Sequence, residues 1–101
     1  MFYRLTGYEI VEKNYITGRG THAGEIDFIA ARGRTIVFVE VKKRQNLEAA
    51  SYALRESQKQ RIRKAAETYL SRRPQYQNYD VRFDAVLVRF PCFIKVIRNA
   101  F

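Results

Sequence analysis

The stretch Gly24-Glu25-Ile26-Asp27-Phe28-Ile29-Ala30-Ala31, then Arg32-Gly33-Arg34, then Thr35-Ile36-Val37-Phe38-Val39-Glu40-Val41-Lys42 decides how this chain is read. Two apolar runs flank a short glycine turn, which is a β-hairpin signal. Side chains two apart share a strand face. Glu25, Asp27 and Ile29 are therefore expected on one face of the first strand, and Ile26, Phe28 and Ala30 on the other. On the second strand Ile36, Phe38, Glu40 and Lys42 oppose Val37, Val39 and Val41. Both faces of that strand are largely apolar, so it is expected at the centre of a sheet, covered on both sides. Asp27, Glu40 and Lys42 interrupt these runs, and a charge in an apolar strand is costly unless it is paired, metal-bound or used.

Upstream, residues 8–15 read as a strand, with Tyr8, Ile10, Glu12 and Asn14 alternating with Glu9, Val11, Lys13 and Tyr15. Before it, Phe2, Tyr3 and Leu5 precede Gly7, which suits the end of a helical turn. Gly18, Gly20 and Gly24 make residues 17–24 a flexible loop. No Gly-Lys-Ser/Thr ending follows, so it is not a phosphate-binding P-loop. His22 in this loop reads as a solvated histidine, because no partner for proton transfer is in view.

Downstream, residues 47–54 allow a short helix. A longer one is expected from Ser57, which with Gln60 forms a capping box. Ile62, Ala65, Ala66, Tyr69 and Leu70 form its apolar stripe, and Pro74 ends it. Residues 55–73 hold Arg55, Lys59, Arg61, Arg63, Lys64, Arg72 and Arg73 against Glu56 and Glu67. Arg63 and Glu67 have the spacing of a helical ion pair. Residues 81–90 read as a fourth strand and residues 93–98 as a fifth, paired with it as a hairpin across Pro91. Cys92 reads as a small packed side chain.

The length of 101 residues suggests one domain. No apolar run approaches the roughly 20 residues of a spanning helix, and the start lacks a signal-peptide pattern. One cysteine permits no internal disulfide and no zinc-ligand spacing. A cytoplasmic location without membrane association is expected. The net charge of +9, from 19 Lys and Arg against 10 Asp and Glu, suits a nucleic-acid partner.

Asp27 and Glu40 are oxygen donors of the kind Mg²⁺ and Mn²⁺ prefer. Strand pairing can bring them together across 13 positions of sequence. Lys42, two residues past Glu40, is suited to steadying a phosphodiester's developing charge. The same spacing also fits a cross-strand ion pair of Asp27 or Glu40 with Lys42.

Gly24-Glu25-Ile26-Asp27 followed by Phe38-Val39-Glu40-Val41-Lys42 resembles the YraN-like family of uncharacterised bacterial proteins. Lys59 with Ile62, Ala66, Tyr69 and Leu70 resembles that family's helix. Gly7-Tyr8 through Asn14 resembles its first strand, Arg82-Phe83-Asp84 its fourth, and Asn99-Ala100-Phe101 its closing residues. The family is placed in the PD-(D/E)xK nuclease superfamily, near Holliday-junction resolvases. The resemblance implies an α/β, restriction-endonuclease-like mixed five-stranded sheet flanked by helices, and Mg²⁺-dependent cleavage of DNA. It implies Asp27 and Glu40 as metal ligands, Lys42 as the catalytic lysine, and Glu25 and Lys59 as site-adjacent. Two departures are expected. The family's longer N-terminal helix and its Glu are shortened here, and the loop over residues 15–23 is extended.

The function expected is a metal-dependent endonuclease for structured or branched DNA, using Mg²⁺ or Mn²⁺. Lys43, Arg44, Lys59, Arg63 and Lys64 are its expected nucleic-acid contacts, with RNA a second candidate ligand and a homodimer the expected assembly. Two alternatives stand beside it: a catalytically inactive nucleic-acid-binding module on a nuclease fold, and an interaction protein whose basic face meets an acidic protein.

Overall fold

The computed structural model describes residues 6–16, 25–43, 56–89 and 93–98. Five strands form one sheet in the order β1-β2-β3-β4-β5. They are β1 (Glu9–Ile16), β2 (Glu25–Arg32), β3 (Thr35–Lys43), β4 (Asp80–Arg89) and β5 (Phe93–Ile97). Among the described residues one helix, α1 (Glu56–Ser71), lies between β3 and β4 in the chain, and a 3-10 turn follows at Pro74–Tyr76. The expected short helix over 47–54, the 17–24 loop with His22, residues 2–5, Arg44, Arg55, Pro91, Cys92 and residues 99–101 lie outside the described residues.

β1, β2 and β3 run antiparallel in turn. The β2–β3 turn closes at Arg32↔Thr35, with Gly33 at φ 57, a left-handed conformation that glycine adopts without a Cβ clash. β3 and β4 are parallel over Thr35↔Asp80 to Lys43↔Val88, as a connection through a helix permits. β4 and β5 close the sheet as an antiparallel pair. The mixed sheet with its crossover helix is compatible with the restriction-endonuclease-like arrangement.

β3 is central, and Ile36, Val37, Phe38 and Val39 are all fully buried. Its two faces feed two cores. On the helix side, Ile26, Ile29, Ile36 and Phe38 pack with Ile62, Ala65, Ala66 and Tyr69 of α1. On the far side, Ala30, Val37, Val39 and Val86 pack with Tyr8. Burial of such side chains contributes roughly 1.5–3 kcal/mol each before the entropy of ordering is set against it. Aromatic rings fill the helix-side core. Tyr69 meets Phe38 edge-on at 5.9 Å and Tyr15 at 5.0 Å, and Phe38 stacks on Phe83 at 5.6 Å. The segment after the helix adds two more rings: Tyr76 stacks on Tyr69, and Tyr79 meets Tyr76 at 4.9 Å.

Three expectations are corrected. Ser57 lies inside α1 rather than capping it, because the helix begins at Glu56. β1 does not alternate evenly: its register with β2 shifts between Ile10 and Glu12, and Asn14 has φ 51. Nor does β2 alternate throughout, since Ile26 joins Ile29 in the helix-side core while Phe28 packs on the far side.

Candidate metal and nucleic-acid site

β2 and β3 are paired from the turn up to Phe28↔Val39. Asp27 and Glu40 are the next residues along each strand, one position past that last pair. Both are half-buried. β3 does not fray there, because β4 continues to hold it through Glu40↔Ala85, Val41↔Val86 and Lys42↔Leu87. On the other side the ladder gives way to a side chain. The Val41 N–H donates to Asp27 Oδ2 at 2.7 Å. The carboxylate thus satisfies a backbone donor of the central strand between Glu40 and Lys42.

This arrangement suits a hard divalent cation. A carboxylate has two oxygens and about four acceptor positions, so Asp27 retains capacity after accepting from Val41. Among the described residues no group of three or more His, Cys, Asp or Glu gathers. Two carboxylates are the donor set that Mg²⁺ usually takes from a protein, with water and phosphate oxygens completing its shell.

The structure places Asp27 on β2 and Glu40 and Lys42 on the neighbouring strand β3. The side chains of Lys42, Lys43 and Glu25 lie outside the described residues, as does Arg44 altogether. Glu25 opens β2, where its backbone pairs with Ile16. Lys59 and Arg63 are half-buried on α1, flanking the buried stripe, and Lys64 is exposed. The ion pair weighed for Asp27 or Glu40 with Lys42 falls on a side chain outside the described residues.

β4 carries a charge pair that residue spacing did not reveal, with Asp84 level with Val39. Arg82 Nε and Nη2 donate to Asp84 Oδ1 and Oδ2 at 2.9 and 3.0 Å. Asp84 is fully buried. Burial opposes the Arg82 charge, but the Asp84 hydrogen bonds and carboxylate outweigh it and raise its pKa above the usual value. The guanidinium carbons of Arg32 and Arg82 lie 5.9 and 5.6 Å from the Tyr8 ring centre. The available signal was the Arg-x-Asp spacing on β4, which places both side chains on one strand face.

A second cation sits in the helix-side aromatic cluster. Arg73 lies 3.7 Å from the Tyr69 ring centre, and its Nη2 is 3.9 Å from Glu12 Oε2. Burial pushes the Tyr69 hydroxyl up to about 12, against the opposing pull of Arg73.

Residues 1–88 match the model of a family described as "Uncharacterised protein family UPF0102". A UPF0102 protein of Paramagnetospirillum magneticum is 48% identical over 88 residues, covering 87% of this chain and 68% of the relative. One from Rhodopseudomonas palustris is 45% identical over 87 residues, covering 86% of this chain and 63% of its own length. Another from Bradyrhizobium diazoefficiens is 44% identical over 82 residues, covering 81% and 59%. The chain therefore spans about three fifths to two thirds of the length of these curated relatives.

Proposed function

The chain belongs to the uncharacterised protein family UPF0102, and from that premise we propose that it is a metal-dependent endonuclease acting on structured or branched DNA. UPF0102 is the YraN family that the hairpin and helix residues resemble, a PD-(D/E)xK-like nuclease group. The observation that carries the proposal is the Asp27 carboxylate, held by the Val41 N–H against the strand that bears Glu40 and Lys42.

Asp27 and Glu40 are the residues that would hold Mg²⁺ or Mn²⁺. Such an ion, when bound, polarises a phosphodiester and makes its bound water more acidic. Asp27 arrives oriented, because its Oδ2 is already committed to β3. Glu40 is held by the central strand, whose flank against β4 remains paired. Lys42 is assigned the charge that develops on the phosphorus oxygens. Lys59, Arg63 and Lys64 on α1, with Lys43 and Arg44, are assigned to the phosphate backbone. A two-fold dimer would present two centres to a branched substrate.

Incubation with branched, single-stranded and duplex DNA in Mg²⁺ or Mn²⁺ tests the proposal. Cleavage of branched DNA that disappears in Asp27→Ala and Lys42→Ala supports it. No cleavage of any substrate, or cleavage that both variants retain, refutes it.

The net charge of +9 favours a second reading, an inactive nucleic-acid-binding module. Such a module binds DNA or RNA with steep salt dependence and loses little affinity in Glu40→Ala. Binding that ignores salt removes this reading.

A further inference from the structure

We propose that Asn14 is a positioning residue for Asp27: its left-handed backbone lets β1 and β2 reverse faces together, turning the Asp27 carboxylate toward β3.

The inference begins with register. Lys13 pairs with Phe28 and Tyr15 with Ile26, so Asn14 falls opposite Asp27. No residue is gained or lost between those two pairs. Yet the faces change across them. Phe28 packs against the far-side core, whereas Ile26 belongs to the helix-side core. Tyr15 is on the helix side too, 5.0 Å from the Tyr69 ring. Ideal alternation would put Ile26 beside Phe28 and Tyr15 beside Lys13. Both strands have reversed at one level, on either side of a single cross-strand position.

A reversal confined to β2 would pull its ladder away from β1. A matched reversal on β1 keeps the register. Asn14 is the means of matching, because among the described residues it is the one non-glycine residue with positive φ. Asparagine enters this region more readily than most residues. The Asn14 side chain is exposed, so burial does not impose the conformation.

The consequence is felt at Asp27. A regular strand would hold its side chain perpendicular to the sheet. Instead its Oδ2 reaches the Val41 N–H at 2.7 Å, where a strand carbonyl would otherwise accept. Asn14 touches neither Val41 nor a substrate in this scheme, and acts through Asp27.

The role of Asp27 as a metal ligand rests on the function proposed above, but the backbone geometry does not, so the test reads geometry alone. Residue-resolved amide hydrogen exchange is measured on the full chain and on Asn14→Gly, Asn14→Ala and Asn14→Val. Glycine accepts the left-handed conformation freely, alanine poorly and valine worst. Asn14→Gly is expected to leave Val41 exchange unchanged. Asn14→Val is expected to speed it by about tenfold, with Phe38 and Ala65 amides unmoved. Asn14→Ala reads the same effect in milder form should the valine variant fail to fold. Unchanged Val41 exchange in both variants would overturn the proposal. So would equal acceleration at Val41, Phe38 and Ala65, or loss of Val41 protection in Asn14→Gly. A negative nuclease assay would bear on the proposed function and leave this result standing.

Discussion

Asp27 Oδ2 accepts the Val41 backbone N–H at 2.7 Å, so a β2 side chain completes the hydrogen bonding of the central strand β3 beyond the last paired residues. This one contact joins fold and site. It ties the carboxylate to the strand that carries Glu40 and Lys42.

Removing that carboxylate has two separable effects. Asp27→Ala leaves a partly buried donor without its acceptor, which costs about 1–3 kcal/mol. Urea unfolding reads the loss. Cleavage of branched DNA is also lost. Asp27→Asn retains an oxygen acceptor for Val41, so most stability returns while cleavage stays absent.

Lys42→Ala separates charge stabilisation from metal binding. Divalent-ion affinity is retained, since Asp27 and Glu40 remain. The cleavage rate falls by about 10²-fold or more, the scale for losing one group that stabilises developing charge. Calorimetric Mn²⁺ titration beside single-turnover cleavage checks both halves.

The Arg82–Asp84 pair is expected to matter for stability rather than chemistry. Asp84 is fully buried and bonded through both oxygens. Asp84→Val strands a partly buried guanidinium and destabilises by about 3 kcal/mol. The double variant Arg82→Met with Asp84→Val removes both charges and costs less than the two single changes added together. Denaturant midpoints for the four proteins complete the cycle.

Alkaline stability depends in part on Tyr69. Its hydroxyl is raised from 10.0 to about 12 by burial, so the folded chain keeps a proton that the unfolded chain releases. The contribution is fully present below pH 10.0 and is lost as pH rises through about 12. Tyr69→Phe lacks this titration, and its urea midpoint declines less steeply across the same window.

Much of the architecture was legible because it follows regular periods. Apolar residues on both faces of 35–43 placed β3 at the centre, and the spacing of Ile62, Ala65, Ala66 and Tyr69 located the buried face of α1. The placement of Asp27 and Glu40 on neighbouring strands, one position past the Phe28↔Val39 pair, followed from the hairpin between them. What was not legible depends on departures from period. Nothing in alternation foretells that Asn14 and Asp27 reverse two strands together, since asparagine serves equally well in regular positions. The burial of Asp84 was hidden for another reason. Arg-x-Asp on a strand reads as surface until the packing around it is known. Ser57 misled because a capping pattern also fits inside a first turn.

The most direct test of the metal centre is the anomalous scattering of crystals equilibrated with Mn²⁺. One peak between Asp27 and Glu40, with carboxylate oxygens at about 2.1–2.4 Å, is the predicted result. A peak held by other residues, or none there at saturating Mn²⁺, would contradict the assignment of these two carboxylates as a nuclease centre.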